Sequence, residues 1–410
     1  MSELRPRTTA STSPAGIARH GRLKKAGPWG AILSFIGAAM VVVLVSGAAV
    51  AGIATAQLVN QVPTVTLIGE TDGPPPSIGA YADGFNMLIV GSDMCEHADG
   101  CDGRGSANLN DVTMLLHVSA DGTNATAVSF PRDLVVPIPS CPKADGSGNN
   151  AAMSAMPINN TLYYGGLPCT VLTVEALTGL KIQFAGLITF EGVIKMSNAV
   201  GGVEVCVAGD INDKNVGLHL KKGKHTLRGW KALAFLRSRH GVGDGSDLTR
   251  ISSQQVYLSS LVRTLKSADT LGDPIKVYGL AQAATKSMSL SNSLANLDTM
   301  ASIAYRLKDV PLEAVTFVQY PGTTGVGGVY LGKVAPIQAK ADALFAKIRA
   351  DKPFRLANVG DNNGSIKDPN APKATDTPTP SGSATAPPVK LDTLDVKGQT
   401  AADYTCSVPF

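Results

Sequence analysis

An uncharged stretch near the N-terminus constrains this chain more than any other feature of its sequence. No Asp, Glu, Lys or Arg occurs from Ala26 to Gly69, and from Trp29 to about Ala56 the residues are mostly Ala, Gly, Val, Ile and Leu. Roughly 20 consecutive apolar residues are enough for a helix to cross a bilayer. The stretch therefore predicts a single transmembrane helix over residues 29–57, preceded by a cytoplasmic tail of residues 1–28.

The charges that flank this stretch predict its orientation in the membrane. The basic residues before it are Arg5, Arg7, Arg19, Arg22, Lys24 and Lys25. Because cytoplasmic flanks carry an excess of Lys and Arg, we expect the N-terminus in the cytoplasm and everything after residue 58 outside the membrane. A cleaved signal peptide is the alternative, since residues 49–56 are rich in alanine, but the apolar run is long for one.

All cysteines of the chain follow the apolar stretch, so they are expected in an oxidising compartment, where disulfides persist. Spacing in the sequence offers only a guess at their pairing. The guess joins Cys95 with Cys101, Cys141 with Cys169, and Cys206 with Cys406. Zinc is the alternative near the first pair because His97 lies within it, but that spacing matches no standard zinc site.

Three segments with strand-like patterns lie in the first half of the outer region: Phe85–Val90, Val112–Val118 and Thr126–Phe130. The Asp121-Gly122 dipeptide between the second and the third is a strong hairpin signal. Counting outward from this turn places Asp111 opposite Arg132. The hairpin therefore predicts that these two side chains meet at one rim of a sheet.

A second acidic residue is expected beside Asp111. Asp93 ends the first strand in Gly91-Ser92-Asp93, and an antiparallel neighbour reached by a return loop would bring Asp93 and Asp111 together. Two close carboxylates repel each other unless a cation lies between them, and hard oxygen ligands suit Mg²⁺, or Mn²⁺, rather than zinc. The alternative is that each aspartate only caps a turn.

Arginines are dense in a later segment, where Arg237, Arg239 and Arg250 fall within 14 residues. Guanidinium groups this close would repel one another unless an anion lay between them, and each can grip phosphate through two hydrogen bonds. A solvated charged face paired with carboxylates is the alternative. We expect the helix over residues 229–236 to end near Leu236, because positions 237 and 239 share a face only in extended backbone.

A second helix is predicted from Asp247, as its N-cap, to Leu265. Arg250 and Gln254 lie one turn apart on it, so both can face the same ligand. The alternative for Gln254 is an exposed helix-forming residue.

Helical and strand patterns alternate through the rest of the outer region, which indicates an α/β domain. We assign residues 58–80 to an extracytoplasmic linker and residues 81–350 to this domain. Residues 351–390 are rich in Pro, Thr, Ser and Ala and are expected to be a disordered stalk. Residues 391–410 form a C-terminal segment that regains some order through Cys406.

An ordered series of short motifs resembles the LytR-CpsA-Psr family of cell-wall enzymes. The motifs are Gly91-Ser92-Asp93, Asp111-Val112-Thr113, Ser129-Phe130-Pro131-Arg132-Asp133, Ile158-Asn159, Gly165-Gly166, Gly201-Gly202-Val203, Ala232-Leu233-Ala234-Phe235-Leu236-Arg237-Ser238-Arg239, Asp247-Leu248-Thr249-Arg250-Ile251 and Gln254-Gln255. Their order and spacing across residues 85–265 make the resemblance specific.

The resemblance implies an α/β/α sandwich with a central mixed β-sheet and an apolar pocket that holds a prenyl chain. The implied activity is a phosphotransferase that moves a glycopolymer from a polyprenyl-pyrophosphate carrier to peptidoglycan. Carried over residue by residue, Asp93 and Asp111 would hold Mg²⁺. The pyrophosphate would be bound by Arg132, Arg237, Arg239, Arg250 and Gln254, and catalysis would rest on Arg132, Arg237, Arg239 and Asp111.

The chain departs from the family pattern at two positions, where Leu109 and Ser253 replace arginines that the family usually carries. Three kinds of function are therefore compared. The first is the transferase, with hydrolysis of lipid pyrophosphates as a side reaction. The second is a protein that binds polyprenyl phosphates or wall polymer without turnover. The third is a transcription regulator, but a tail of residues 1–28 is too short for a nucleic-acid-binding domain, so no nucleic-acid partner is expected.

Overall fold

The computed structural model describes residues 62–70, 81, 84–93, 108–143, 145–267, 274–372 and 391–410. The predicted cytoplasmic tail, the predicted transmembrane helix and the predicted Cys95–Cys101 disulfide lie outside these residues. Among the residues described, no helix has both the length and the apolar character needed to span a bilayer.

Short strands and seven longer helical segments alternate along the described chain. The α-helices are α1 (Thr161–Thr178), α2 (Phe190–Ala199), α3 (Trp230–Arg237), α4 (Asp247–Lys266), α5 (Pro274–Ser287), α6 (Leu297–Asp309) and α7 (Gln338–Arg349). The strands are β1 (Thr64–Val65), β2 (Phe85–Ser92), β3 (Asn110–Val118), β4 (Ala125–Phe130), β5 (Val135–Ile138), β6 (Cys141–Pro142), β7 (Asn149–Asn150), β8 (Met153–Pro157), β9 (Phe184–Ile188), β10 (Val203–Val207), β11 (Ile211–Asp213), β12 (Leu218–Leu220), β13 (Gly223–Leu227), β14 (Met288–Ser291), β15 (Val315–Gln319), β16 (Gly322–Thr323), β17 (Ala335–Pro336), β18 (Phe354–Leu356), β19 (Ser365–Lys367), β20 (Asp392–Leu394), β21 (Gly398–Thr400) and β22 (Thr405–Ser407).

A central sheet of eight strands has the order β1-β14-β9-β2-β3-β4-β15-β21. Strand β2 is antiparallel to β3 and parallel to β9. Strand β4 is antiparallel to β3 and parallel to β15. The sheet is therefore mixed, and β3 and β4 form the predicted hairpin. Because β2, β4 and β15 run in the same direction, their carboxyl ends lie at one edge of the sheet, and the predicted site residues lie at this edge.

Alternate residues of the central strands face two separate apolar clusters, one on each side of the sheet. Leu88 and Val90 of β2 pack in the cluster that includes α1 and α7. Phe85 and Met87 of the same strand pack in the cluster that includes α4 and α6. Full burial of one such side chain stabilises the fold by roughly 1.5–3 kcal/mol. Helices thus cover both faces, as an α/β/α sandwich requires.

A smaller sheet carries the end of the chain, with the strand order β13-β10-β22-β19. The pairing of β10 with β22 places Cys206 opposite Cys406, and the two form a disulfide. A second disulfide joins Cys141 to Cys169. Both of these pairings, which the sequence offered only as a guess, are confirmed.

Two boundaries that composition predicted are wrong. Part of the predicted linker is folded, because β1 pairs with β14 and Leu67 is buried. Part of the predicted disordered stalk is also folded, because β18 and β19 lie within residues 351–390. These strands hold their place through backbone pairing with neighbours, which a composition poor in large apolar residues does not reveal. Residues 373–390 lie outside the described part.

Candidate active site

Two cavities meet at the carboxyl ends of β2 and β4. The first is polar, has a volume of about 510 Å³ and is lined by Asp111, Arg132, Asp213, Lys214, Asn215, Val216, Arg237, Arg239, His240 and Arg250. The second is smaller, about 160 Å³, and mostly apolar, with Ile89, Ile188, Val193, Leu233, Leu236 and Leu258 among its lining residues. Asp111, Arg237 and Arg250 line both cavities.

The predicted meeting of Asp111 and Arg132 is confirmed. Arg132 Nη1 donates to Asp111 Oδ1 at 2.5 Å. Burial alone would raise the pKa of Asp111, but the charges of Arg250 and Arg132 outweigh it and hold this pKa below its ordinary value. Asp111 is therefore ionised at neutral pH; its carboxylate accepts from Arg132, and its backbone carbonyl accepts from Arg250 Nη2 at 2.9 Å.

Arg250 is fixed from behind by Asp247. The two side chains are 4% and 2% exposed, and Arg250 Nη2 lies 2.5 Å from Asp247 Oδ1. The second carboxylate oxygen of Asp247 accepts the backbone N–H of Arg132 at 2.7 Å. Asp247 is thus not the N-cap of α4, as the sequence predicted. Ser246 is the N-cap, and its side chain accepts from the Thr249 N–H.

The end of α3 places the paired arginines on one wall. The helix ends at Arg237, one residue beyond the predicted position, and Ser238 has extended backbone. The Arg237 guanidinium stacks over the ring of Phe190, with its central carbon 4.3 Å from the ring centroid. Arg239 Nη1 lies 3.9 Å from Asp133 Oδ2. Both arginines line the polar cavity, as the extended backbone after Leu236 predicts.

Positive charge is in excess on the cavity wall. Four arginines and Lys214 line the polar cavity with only two carboxylates, those of Asp111 and Asp213. Burial, followed by repulsion from Arg132, lowers the pKa of Arg239. A buried donor without a partner costs about 1–3 kcal/mol, and the Nε atoms of Arg132, Arg239 and Arg250 have no acceptor among the described residues. A bound anion would offset this accumulated charge.

Neither Asp93 nor Gln254, both predicted site residues, lines the polar cavity. Asp93 Oδ1 accepts the Leu109 N–H at 2.9 Å. Burial raises the pKa of Asp93, and the nearby charge of Asp111 adds to the shift. Gln254 lines only the apolar cavity, and its amide nitrogen donates to the Leu236 carbonyl at 2.7 Å. This contact ties α4 to the end of α3 just before Arg237.

The two acidic residues fit a divalent cation in their chemistry. Both offer hard carboxylate oxygens, which Mg²⁺ prefers. The charge of Asp111 disfavours ionisation of Asp93, and a cation between them would remove that penalty. Asp93 and Asp111 are therefore the residues in the described chain that suit a metal at this edge of the sheet.

Sequence reasoning missed several residues of the site. Asp213, Lys214, Asn215 and Val216 reach the polar cavity from the turn between β11 and β12. No local pattern marks them, because β11 and β12 form a separate two-stranded sheet that approaches the arginines only through long-range packing against β10 and α3. Asp133 was quoted within a motif but given no role, although its carboxylate lies near Arg132, Arg239 and Lys333.

The two departures from the family pattern have different surroundings. Leu109 is beside Asp93, which its backbone N–H contacts. Ser253 is 1% exposed, and its hydroxyl lies 2.8 Å from the Ser407 hydroxyl on β22. Position 253 therefore packs against the C-terminal strand in this chain and adds no charge to the cavity.

A family model described as the LytR_cpsA_psr family matches residues 53–346. The chain is 30% identical over 272 residues to the cell wall biosynthesis protein LcpA of Corynebacterium glutamicum, an alignment that covers 60% of this chain and 52% of LcpA. It is 28% identical to the polyisoprenyl-teichoic acid–peptidoglycan teichoic acid transferase TagT of Bacillus subtilis, covering 48% of this chain and 60% of TagT. The alignments thus span about half of each of these relatives.

Solved structures share the fold. A LytR-Csp2A-Psr enzyme from Actinomyces oris superposes with a TM-score of 0.52 at 22% identity, covering 70% of this chain and 95% of that chain. TagV of B. subtilis superposes with a TM-score of 0.51 at 21% identity, covering 66% of this chain and 97% of that chain. The motifs, the fold and the match over residues 53–346 lead to one conclusion: the chain belongs to the LytR_cpsA_psr family.

Proposed function

We propose that this protein is a phosphotransferase that moves a glycopolymer from a polyprenyl-pyrophosphate carrier to peptidoglycan. The observation that carries the proposal is the junction of the two cavities at Asp111, Arg237 and Arg250. A ligand that fills both must have an anionic head beside arginines and an apolar tail beside Leu233 and Leu236. A prenyl pyrophosphate has this combination.

The arginines bind the pyrophosphate in this proposal. A planar guanidinium group can donate two parallel hydrogen bonds to phosphate oxygens, so Arg132, Arg237, Arg239 and Arg250 suit a diphosphate better than lysines would. Arg237 is oriented by Phe190, and Arg250 by Asp247. Because these groups are held before substrate arrives, little reorganisation is needed as charge builds up in the transition state.

The proposed reaction breaks the phosphoanhydride bond of the pyrophosphate and forms a new phosphoester bond to the acceptor. A hydroxyl of the peptidoglycan acceptor attacks the phosphorus next to the glycopolymer, and the bond from that phosphorus to the bridging oxygen breaks. The lipid monophosphate leaves with the electron pair, and Arg132, Arg237 and Arg239 stabilise its added charge. In this proposal either Asp93 or Asp111 assists in removing the acceptor proton. Water in place of the hydroxyl gives pyrophosphate hydrolysis as a side reaction.

Asp93 and Asp111 would hold Mg²⁺, with Mn²⁺ as the alternative. A bound divalent cation supplies charge neutralisation at the phosphoryl oxygens. We place the domain outside the cell membrane, anchored by the single helix predicted over residues 29–57, where both the lipid carrier and peptidoglycan are within reach.

The names of the relatives support the substrate class. LcpA is named as a cell wall biosynthesis protein, and TagT as a teichoic acid transferase that acts on polyisoprenyl-teichoic acid and peptidoglycan. The alternative function is binding of polyprenyl phosphate or wall polymer without turnover. Leu109 and Ser253 favour this alternative, since each replaces a family guanidinium that would contribute to charge stabilisation.

A transfer assay tests the proposal. Full-length protein in detergent is incubated with a synthetic polyprenyl-pyrophosphate glycan and peptidoglycan oligomers, with and without Mg²⁺, and the joined product is measured. The wild type should form product only with the metal, and Arg237→Ala should lower the rate by about 100-fold or more, as loss of an oxyanion donor does.

A matched control removes a guanidinium from the other end of the domain. Arg349 is the last residue of α7 and donates to the Thr178 carbonyl at the end of α1. Arg349→Ala should therefore leave transfer unchanged. Equal rates for Arg237→Ala and the wild type would exclude the assigned site. Lipid binding without product in any variant, the wild type included, would establish the non-catalytic alternative.

A further inference from the structure

The carboxylate of Asp213 is buried beside the polar cavity and forms no ion pair with another described residue. Asp213 is 1% exposed and is the last residue of β11. Three groups of the described chain donate to it, and all are neutral: two backbone N–H groups and one hydroxyl. A carboxylate excluded from water is costly unless hydrogen bonds compensate it, so this arrangement has to be held by the surrounding fold.

The two oxygens of this carboxylate serve two different segments. Oδ1 accepts the Asn215 N–H at 3.0 Å, which closes the turn that carries Lys214 and Asn215 into the polar cavity. Oδ2 accepts the Ser238 hydroxyl at 2.8 Å and the Arg239 N–H at 3.1 Å. One side chain thus joins the β11–β12 turn to the backbone of Arg239.

The close approach of these segments depends on a glycine. A Cβ added at Gly241 would lie 2.9 Å from Asp213 Cβ and 2.8 Å from Ser238 Oγ. Both distances are shorter than side chains tolerate, so any larger residue would push the arginine segment away from β11. The contact between Asp213 and residues 238–239 therefore depends both on the Asp213 carboxylate and on the absence of a side chain at Gly241.

We propose that Asp213 is a positioning residue for Arg239, whose backbone it fixes so that the guanidinium lines the pyrophosphate cavity. This rests on the proposed function, since it takes the polar cavity as the diphosphate site. Asp213 touches no substrate in this role. It acts through Arg239, and its negative charge is a disadvantage for anion binding that the positioning outweighs.

The substitution Asp213→Asn separates position from charge. The carboxylate accepts a backbone N–H at each oxygen, but an amide has only one oxygen. In either orientation of the amide, an NH₂ group would face the N–H of Asn215 or of Arg239, and the contact there would be lost. Loss of the negative charge alone would instead strengthen the binding of an anion.

The test measures the affinity of inorganic pyrophosphate for the full-length protein in detergent, in buffer without divalent metal, by calorimetry. Four proteins are compared: the wild type, Asp213→Asn, Arg239→Ala and the double variant. Asp213→Asn should weaken binding about tenfold. This change corresponds to about 1.4 kcal/mol, which is what the loss of one hydrogen bond typically costs. In the Arg239→Ala background the same change should alter affinity less than twofold, because the residue through which Asp213 acts is absent.

A matched control and a second variant complete the design. Asp403 accepts the backbone N–H and the hydroxyl of Thr400 with its carboxylate, away from the cavity, so Asp403→Asn should leave pyrophosphate affinity unchanged. If Asp213→Asn does not fold, Gly241→Ala disturbs the same contact from the other side and should show the same dependence on Arg239.

The outcomes separate this inference from the proposed function. Tighter or unchanged binding by Asp213→Asn would overturn the positioning role. So would a double variant whose loss of pyrophosphate affinity equals the product of the losses in the two single variants. A wild type that does not bind pyrophosphate would overturn the anion site itself and this inference with it. If the wild type binds pyrophosphate and Arg239→Ala weakens this binding but Asp213→Asn does not, the anion site is retained and only the role of Asp213 is rejected.

Discussion

The two ends of strand β3 each carry a titratable side chain, yet these two side chains have opposite surroundings. At one end, Asp111 lies between Arg132 and Arg250 at the junction of two cavities. At the other end, His117 is 3% exposed, with Nδ1 2.9 Å from Asn86 Oδ1 and Nε2 3.0 Å from Asp351 Oδ1. The residues around His117 form a closed end of the strand, shielded from solvent, whereas those around Asp111 form an open end that borders two cavities.

The difference shows how one fold separates stability from ligand binding. Asp351 uses its other oxygen to accept the Ala120 N–H, so the polar groups near His117 all have partners within the fold, and these contacts link the end of α7 to the sheet. Around Asp111, several cations share few carboxylates and have donor atoms to spare. A network that is complete contributes to the fold, whereas an incomplete one with excess charge is suited to a ligand.

The largest expected effect is on transfer, when the group of residues around Asp111 at the open end is disrupted. Arg132→Ala removes the cation that contacts Asp111 directly, and by analogy with oxyanion donors kcat/KM for transfer should fall by roughly 10²–10³-fold. Transfer kinetics measured with the synthetic lipid substrate provide the check. Activity within threefold of the wild type would mean that Arg132 orders Asp111 without contacting the substrate.

A smaller effect is expected at the closed end, where a substitution should change the free energy of unfolding rather than turnover. His117→Ala leaves Asn86 and Asp351 without their partner, so the free energy of unfolding should fall by about 1–3 kcal/mol. Denaturant unfolding measures this loss, and kcat/KM of the folded fraction should change by less than twofold. A large loss of turnover with no loss of stability would contradict the separation of the two ends.

The smallest effect concerns the acid range. Because Arg250 and Arg132 hold the pKa of Asp111 below its ordinary value, its ionised form contributes stability above the pKa of the unfolded chain, about 3.9. That contribution is lost as the pH falls below this value through the lowered folded pKa. The difference in unfolding free energy between the wild type and Asp111→Asn should therefore stay constant from about pH 7 to pH 5 and shrink below about pH 4.

Local patterns in the sequence were enough for strands β2, β3 and β4 of the central sheet and for most of the arginine wall. The Asp121-Gly122 turn fixed the register of the β3–β4 hairpin, so counting residues placed Asp111 against Arg132. The predicted change from helical to extended backbone occurs one residue later, at Ser238, and Arg237 and Arg239 still line the same cavity. These features depend on short-range periodicity, which sequence records directly.

Long-range packing accounts for what the sequence did not reveal. Asp213 reaches Arg239 only because the β11–β12 turn packs beside it, 26 residues away. Strands β18 to β22 are short and polar, and their pairing partners determine their structure. Asp247 was assigned to the helix cap because its position fits a cap, whereas its carboxylate binds Arg132 and Arg250 instead.

The central claim is that arginines from separate segments hold a diphosphate at the mouth of an apolar cavity. A crystal structure of the protein with a short prenyl pyrophosphate tests it most directly. We predict diphosphate oxygens within hydrogen-bond distance of Arg132, Arg237, Arg239 and Arg250, with the prenyl chain beside Leu233 and Leu236. A ligand bound elsewhere, or a diphosphate that none of the four arginines contacts, would contradict the account.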